Sequence, residues 1–166
     1  MMIKRGFTLI ELLLYTVVIG IILTAVSALL FGILQSRVKN QTIAEVEQQG
    51  IQVMQIVTQT LRNATAINSP SAGASVAMLS VNTPVGASNP TVFDLSSGVI
   101  RITEGAEAAV GLNNSLVTAS GLTFQNLTTS GTPGTIRITF TLTRVNPSGR
   151  NEYDYAQTFY GSASLR

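Results

Sequence analysis

Glu11 is the one charged side chain between Arg5 and Arg37. Behind it, residues 12–34 are 23 in a row without charge, and 18 of them are apolar. A carboxylate at the head of such a run is costly in hydrocarbon unless it is protonated or paired. Thr8-x-x-Glu11 offers one local remedy, because it is a capping-box pattern in which both side chains satisfy free amides at a helix start. A positive charge brought from outside the segment is the other. Most reactive chemistry is missing. With no His and no Cys in 166 residues, the chain has no Ser-His-Asp triad, thiol nucleophile, His/Cys zinc site or disulfide.

The remaining polar groupings are weaker. Glu104 and Glu107 imitate an acid/base pair, but their Gly/Ala-rich setting reads as a loop. Asn151-Glu152-Tyr153-Asp154 supplies only two carboxylates and reads as a solvated strand end rather than a calcium site. Arg137, Arg144, Arg150 and Arg166 with Tyr153, Tyr155, Phe159 and Tyr160 have the composition of a DNA-stacking surface. The interleaved Glu152 and Asp154 count against it, and the competing reading puts the aromatics in a core under a solubilising arginine face. The formal charge of +2 and the pI near 9.3 depend on Lys4 and Arg5; without them eight basic residues face eight acidic ones. That is no nucleic-acid footprint. Asn40, Asn63, Asn113 and Asn126 open N-x-S/T patterns, which arise readily by chance in a chain this rich in Ser, Thr and Asn. There is no Gly-rich phosphate loop. The residues read as those of a non-enzyme with no cofactor and no metal.

Three regions must position these residues. The uncharged run gives a helix of roughly 35 Å, enough to cross a hydrocarbon core of about 30 Å. Lys4 and Arg5 before it favour a cytoplasmic N-terminus, with the bulk of the chain on the far side. An ordinary signal peptide, cut near Ala25-Val26-Ser27, is the competing interpretation, but the apolar run continues through Leu34. No proline precedes Pro70, so the periodicity predicts one helix from about Phe7 to Ala66. In its second half Ile43, Val46, Gly50, Val53, Met54, Val57, Leu61 and Ala64 fall on one arc. After Pro70 come β-rich runs at Val76–Val81, Thr91–Leu95, Val99–Thr103, Gly121–Thr128, Thr135–Arg144 and Tyr153–Tyr160. Ser71–Ser75 and Gly105–Ala119 read as loops. In Ile136–Thr143 apolar and polar residues alternate strictly, so one face is buried. The fold class is therefore α+β: a long N-terminal helix, with an antiparallel sheet laid on its amphipathic half.

Lys4-Arg5-Gly6-Phe7-Thr8-Leu9-Ile10-Glu11, followed by an uninterrupted apolar helix, resembles the prepilin leader of type IV pilins and type II secretion pseudopilins. The resemblance covers about the first 30 residues. It implies a leader at residues 1–6, a transmembrane and filament-core helix half at 7–36, an amphipathic half at 37–67 and a β-rich head at 68–166. It implies cleavage between Gly6 and Phe7 by a prepilin peptidase, N-methylation of Phe7, and filament assembly through Glu11 and Thr8. The implied partners are other pilin or pseudopilin subunits, the peptidase/methyltransferase, an inner-membrane assembly platform and the lipid bilayer, with DNA not expected. The implied location is the inner membrane, single-pass with the head outside the cytoplasm, and then the filament. Leu61-Arg62-Asn63-Ala64 and the terminal segment from Thr158 to Arg166 are similar to J-type minor pseudopilins and W-type minor pilins. The alternative class is a membrane-anchored or secreted β-rich binding module, such as an adhesin.

Overall fold

The computed structural model describes residues 8–165. Helix α1 runs unbroken over Leu9–Asn63. Nothing in that stretch removes a backbone donor, and Arg62 in the last turn suits the negative end of the helix dipole. The expected end at Ala66 falls three residues late. Ala64 is already outside the helix, its amide bonding back to the Leu61 carbonyl, and Ala66 opens the first strand. The chain forms two compact units, one ending at Asn40 and one beginning at Gln41.

The second unit contains the rest of α1 and nine strands: β1 (Ala66–Ser69), β2 (Ser75–Val76), β3 (Leu79–Asn82), β4 (Thr91–Ser96), β5 (Val99–Glu104), β6 (Val110–Gly111), β7 (Val117–Asn126), β8 (Thr135–Arg144) and β9 (Ala156–Ser164). They make two antiparallel sheets rather than one, ordered β1-β3-β4-β5-β6 and β2-β7-β8-β9. The run expected at Val76–Val81 is split between them: β2 pairs with β7, and β3 pairs with β1 and β4. The stretch expected to be a loop, Gly105–Ala119, holds β6 and the start of β7. Two-residue strands and a strand of small residues leave little periodicity to read. The last strand lies three to four residues later than expected, because Asn151–Tyr153 forms a 3-10 turn.

Thr135–Arg144 is strand β8 as expected, an inner strand of the four-stranded sheet that pairs with β7 and β9. Ile136, Ile138, Phe140 and Leu142 point inward and are fully buried, while Thr139 and Thr141 face the other way. On α1, Val46, Gly50, Val53, Val57 and Leu61 are buried, spaced so that they share one stripe. They join one core with Leu79, Val81, Phe93, Ile100 and Phe124. Ile43 and Met54, placed on the same arc, sit at its margin and are half-buried.

Candidate assembly site at the helix start

Thr8 is the N-cap of α1. Its carbonyl accepts from the amides of Glu11 and Leu12, at 3.1 and 3.2 Å. Its hydroxyl accepts from the Glu11 amide at 3.3 Å. In return Glu11 Oε2 lies 3.5 Å from both the Thr8 amide and the Thr8 hydroxyl. This is the reciprocal capping box anticipated from Thr8-x-x-Glu11, with a carboxylate also placed at the positive end of the helix dipole. Gly6 and Phe7, read as the cleavage and methylation positions, lie outside the described residues, as does Arg166.

From Leu12 to Leu34 the large apolar side chains of α1 are exposed, Leu12, Leu13, Leu14, Val17, Ile21, Leu23, Leu29 and Phe31 among them. The best 18-residue window in α1 has a mean hydropathy of 2.8, and α1 is long and apolar enough to cross a membrane.

The other groupings resolve differently. Glu104 closes β5 opposite Thr91, and Glu107 sits in the turn after it, its amide bonding the Glu104 carbonyl at 3.0 Å. Among the described residues no three His, Cys, Asp or Glu side chains converge on a metal position. The Arg144 and Arg150 guanidinium groups stand 6.0 and 5.9 Å from the Tyr153 ring centre, so that ring is already engaged by cations of its own chain. Arg150 also pairs with Glu152. Glu152 is held below the ordinary carboxylate range, chiefly by a hydrogen bond from its own backbone amide, with Arg150 adding to this and burial opposing it. In the other sheet, Arg101 and Asp94 form a two-pronged bridge across β4 and β5, at 2.9 and 2.6 Å. Its largest effect on Arg101 is the hydrogen bond to Asp94, which raises an already high pKa.

Two of the N-x-S/T asparagines are structural. Asn113 is buried; its Oδ1 accepts from the Ile100 amide at 2.8 Å and its Nδ2 donates to the Val117 carbonyl at 3.1 Å. Asn126 is also buried; its Nδ2 donates to the Pro70 carbonyl at 2.7 Å, while Oδ1 accepts from the amide and hydroxyl of Thr128. The N-x-S/T spacing does not show these roles, because Ile100 and Pro70 lie 13 and 56 residues away in sequence.

Residues 1–27 match the family described as the prokaryotic N-terminal methylation motif. The chain carries a pilin-type N-terminus. The match, with the long apolar helix behind it, supports the type IV pilin and pseudopilin family. No curated protein and no solved structure matches the chain. The pilin-type start therefore rests on the motif, and the α+β arrangement of one long helix followed by antiparallel sheets is consistent with it.

Proposed function

We propose that this chain is a structural subunit, of the minor kind, of a type IV pilus or type II secretion pseudopilus. The observation that carries the reading is the methylation motif at residues 1–27, running straight into an apolar helix of membrane-spanning length. The leader ends at Gly6, whose missing Cβ lets the backbone extend in a protease cleft. Phe7 becomes the methylated N-terminus. The subunit waits in the inner membrane with residues 7–36 submerged and the head outside the cytoplasm, as Lys4 and Arg5 favour. Its partners are other pilin-type subunits, a prepilin peptidase and an assembly platform.

Leaving lipid for a filament core exchanges one apolar surrounding for another, so apolar burial gives little net preference. Glu11 supplies the discrimination. Paired with the N-terminal amine of a neighbouring subunit, its carboxylate is compensated only in the correct axial register. The minor assignment rests on the likeness of residues 61–64 and 158–166 to J-type and W-type subunits.

Co-expression with a prepilin peptidase tests the reading. Cleavage after the sixth of 166 residues leaves a 160-residue chain, visible by intact mass. A mature protein that begins near Ala28 would overturn it in favour of ordinary secretion.

A further inference from the structure

Among the described residues, strand β9 is the longest sheet edge. It spans nine residues, Ala156–Ser164, and pairs on one side only, with β8. The other three edges, β1, β2 and β6, have four, two and two residues. The hydrogen-bond alternation fixes which β9 groups are free. Beyond each end of the β8–β9 ladder, the Arg144 amide donates to the Tyr155 carbonyl at 2.9 Å and the Leu165 amide to the Gly134 carbonyl at 2.7 Å. Residues 157, 159, 161 and 163 share that parity and bond to β8. Ala156, Thr158, Tyr160, Ser162 and Ser164 therefore turn their amides and carbonyls away from it. Among these, the Thr158 carbonyl accepts from Gln157 Nε2 at 3.3 Å.

Such an edge is ordinarily blunted by Lys, Pro or a bulge. Residues 156–164 contain no charge and no proline, and their register with β8 is unbroken. Tyr160, at the middle of the edge, is 74% exposed.

The ground beside the edge is shaped as well. Phe159 and Gly161 sit over Gly50 and Met54 of α1. One flank of the helix, Ala44, Gln48, Ile51, Gln55, Thr58 and Arg62, continues past them at four- and three-residue spacing. A cavity of about 540 Å³ is lined by Gln55, Thr58, Gln59 and Arg62 of this region together with Ser164 and Leu165 at the end of β9. Ile51 is 53% exposed on the same flank. Arg62 makes no ion pair among the described residues.

We propose that the free edge of β9, with this α1 flank beside it, accepts an extended segment of a different protein chain that carries a carboxylate opposite Arg62. Only an extended backbone matches donors and acceptors presented in this alternation. The charge at Arg62 selects the occupant further. A second copy pairing through its own β9 brings no carboxylate to Arg62, because residues 156–164 are uncharged, and its other edge strands have at most four residues. The added strand continues the sheet, lays apolar side chains over Ile51 and fills the cavity near Arg62. The surface belongs to the head and does not depend on how the N-terminus is processed.

The test uses the full chain in detergent micelles, with a probe strand appended after Arg166. An Asn-Gly turn precedes nine alternating Thr and Val residues, with one Glu at the first inward position. Amide exchange at Thr158, Tyr160 and Ser162 should slow by about tenfold or more. Replacing the probe Glu by Lys should reverse most of that protection, and Arg62→Glu should restore it for the Lys probe. Tyr160→Pro, which removes an outward donor but no bond to β8, should abolish it. If that variant fails to fold, the charge swap alone decides. Unchanged exchange in a folded head overturns the proposal. So does protection of these amides in the unmodified chain accompanied by dimers in sedimentation, which would make a second copy the occupant.

Discussion

The ring of Phe159 occupies the space that a side chain on Gly50 would need; a Cβ built there would meet three of its carbons. Glycine in a helix interior costs about 1 kcal/mol relative to Ala, so α1 gives up local stability to bring β9 this close. Phe159 in turn stacks on Phe140, ring centres 5.3 Å apart. Gly50→Ala should lower the melting temperature, because overpacking costs about 1–3 kcal/mol and outweighs the helix gain. Phe159→Leu should recover part of the loss. Thermal melts of both single variants and the double would show the coupling; strictly additive effects would refute it.

Val57 is fully buried in the core that α1 shares with the strands. Val57→Asp strands a carboxylate there without a partner, at a cost of several kcal/mol, roughly 3 or more. Ile51→Asp, on the exposed flank of the same helix, should change stability by less than about 0.5 kcal/mol. Urea unfolding of both variants checks the contrast. Equal destabilisation would mean the helix face is misassigned.

Asn113 ties β5 to the start of β7 through the Ile100 amide and the Val117 carbonyl. Asn113→Ala leaves both groups buried without their partner and should cost about 1–3 kcal/mol. Asn40→Ala, at an exposed position on α1, should cost about 0.5 kcal/mol or less. A chemical-denaturation series separates the two. A glycan found on Asn113 in the folded protein would contradict its burial.

The helix and its buried stripe were legible in the sequence because a 3.6-residue period persisted over more than twenty residues from Ile43 onward. Strand β8 was legible for the same kind of reason, its apolar residues alternating without interruption. The division into two sheets was not. It turns on the short passage from Val76 to Leu79, where β2 ends and β3 begins in the other sheet. Strand pairing is a long-range property, and neither residue carries a sign of its partner. Nor did the spacing show why Gly50 is a glycine, since Phe159 is more than a hundred residues away. At the helix start, Thr8 and Glu11 were legible because their partnership is local.

Glu152 lies in the 3-10 turn before β9 and is held below the ordinary carboxylate range. A lowered folded pKa means stability that is present above the unfolded value of about 4.3 and lost as pH falls through the folded one. Glu152→Gln should therefore leave the chain slightly less stable near neutral pH. It should also flatten the fall in melting temperature on acidification below that range. Melting curves from neutral to acidic pH check the sign. A variant whose melting temperature falls as steeply as the parent's would remove Glu152 from the account.

Glu11 is asked to do two things, and one substitution separates them. In the isolated chain its carboxylate closes the capping box with Thr8. In the filament proposed above it meets a neighbour's amine instead. Glu11→Gln keeps the size and the hydrogen-bonding carbonyl that a capping box accepts, since Gln serves at that position as well as Glu. It removes the charge. If capping is the whole role, Glu11→Gln should be incorporated into filaments as well as the parent, while Glu11→Ala should fray the first turn, at about 1 kcal/mol. If charge pairing sets register, both variants should insert, be cleaved and fold their heads, yet both should be depleted from filaments. Glu11→Asp should recover only part, its carboxylate being one methylene shorter. We expect the second pattern, because an uncompensated charge in a low-dielectric filament core discriminates register far more steeply than a neutral amide can. The measurement is the amount of each variant in sheared filaments, set against its amount in the membrane. Full incorporation of Glu11→Gln would return Glu11 to the capping box alone.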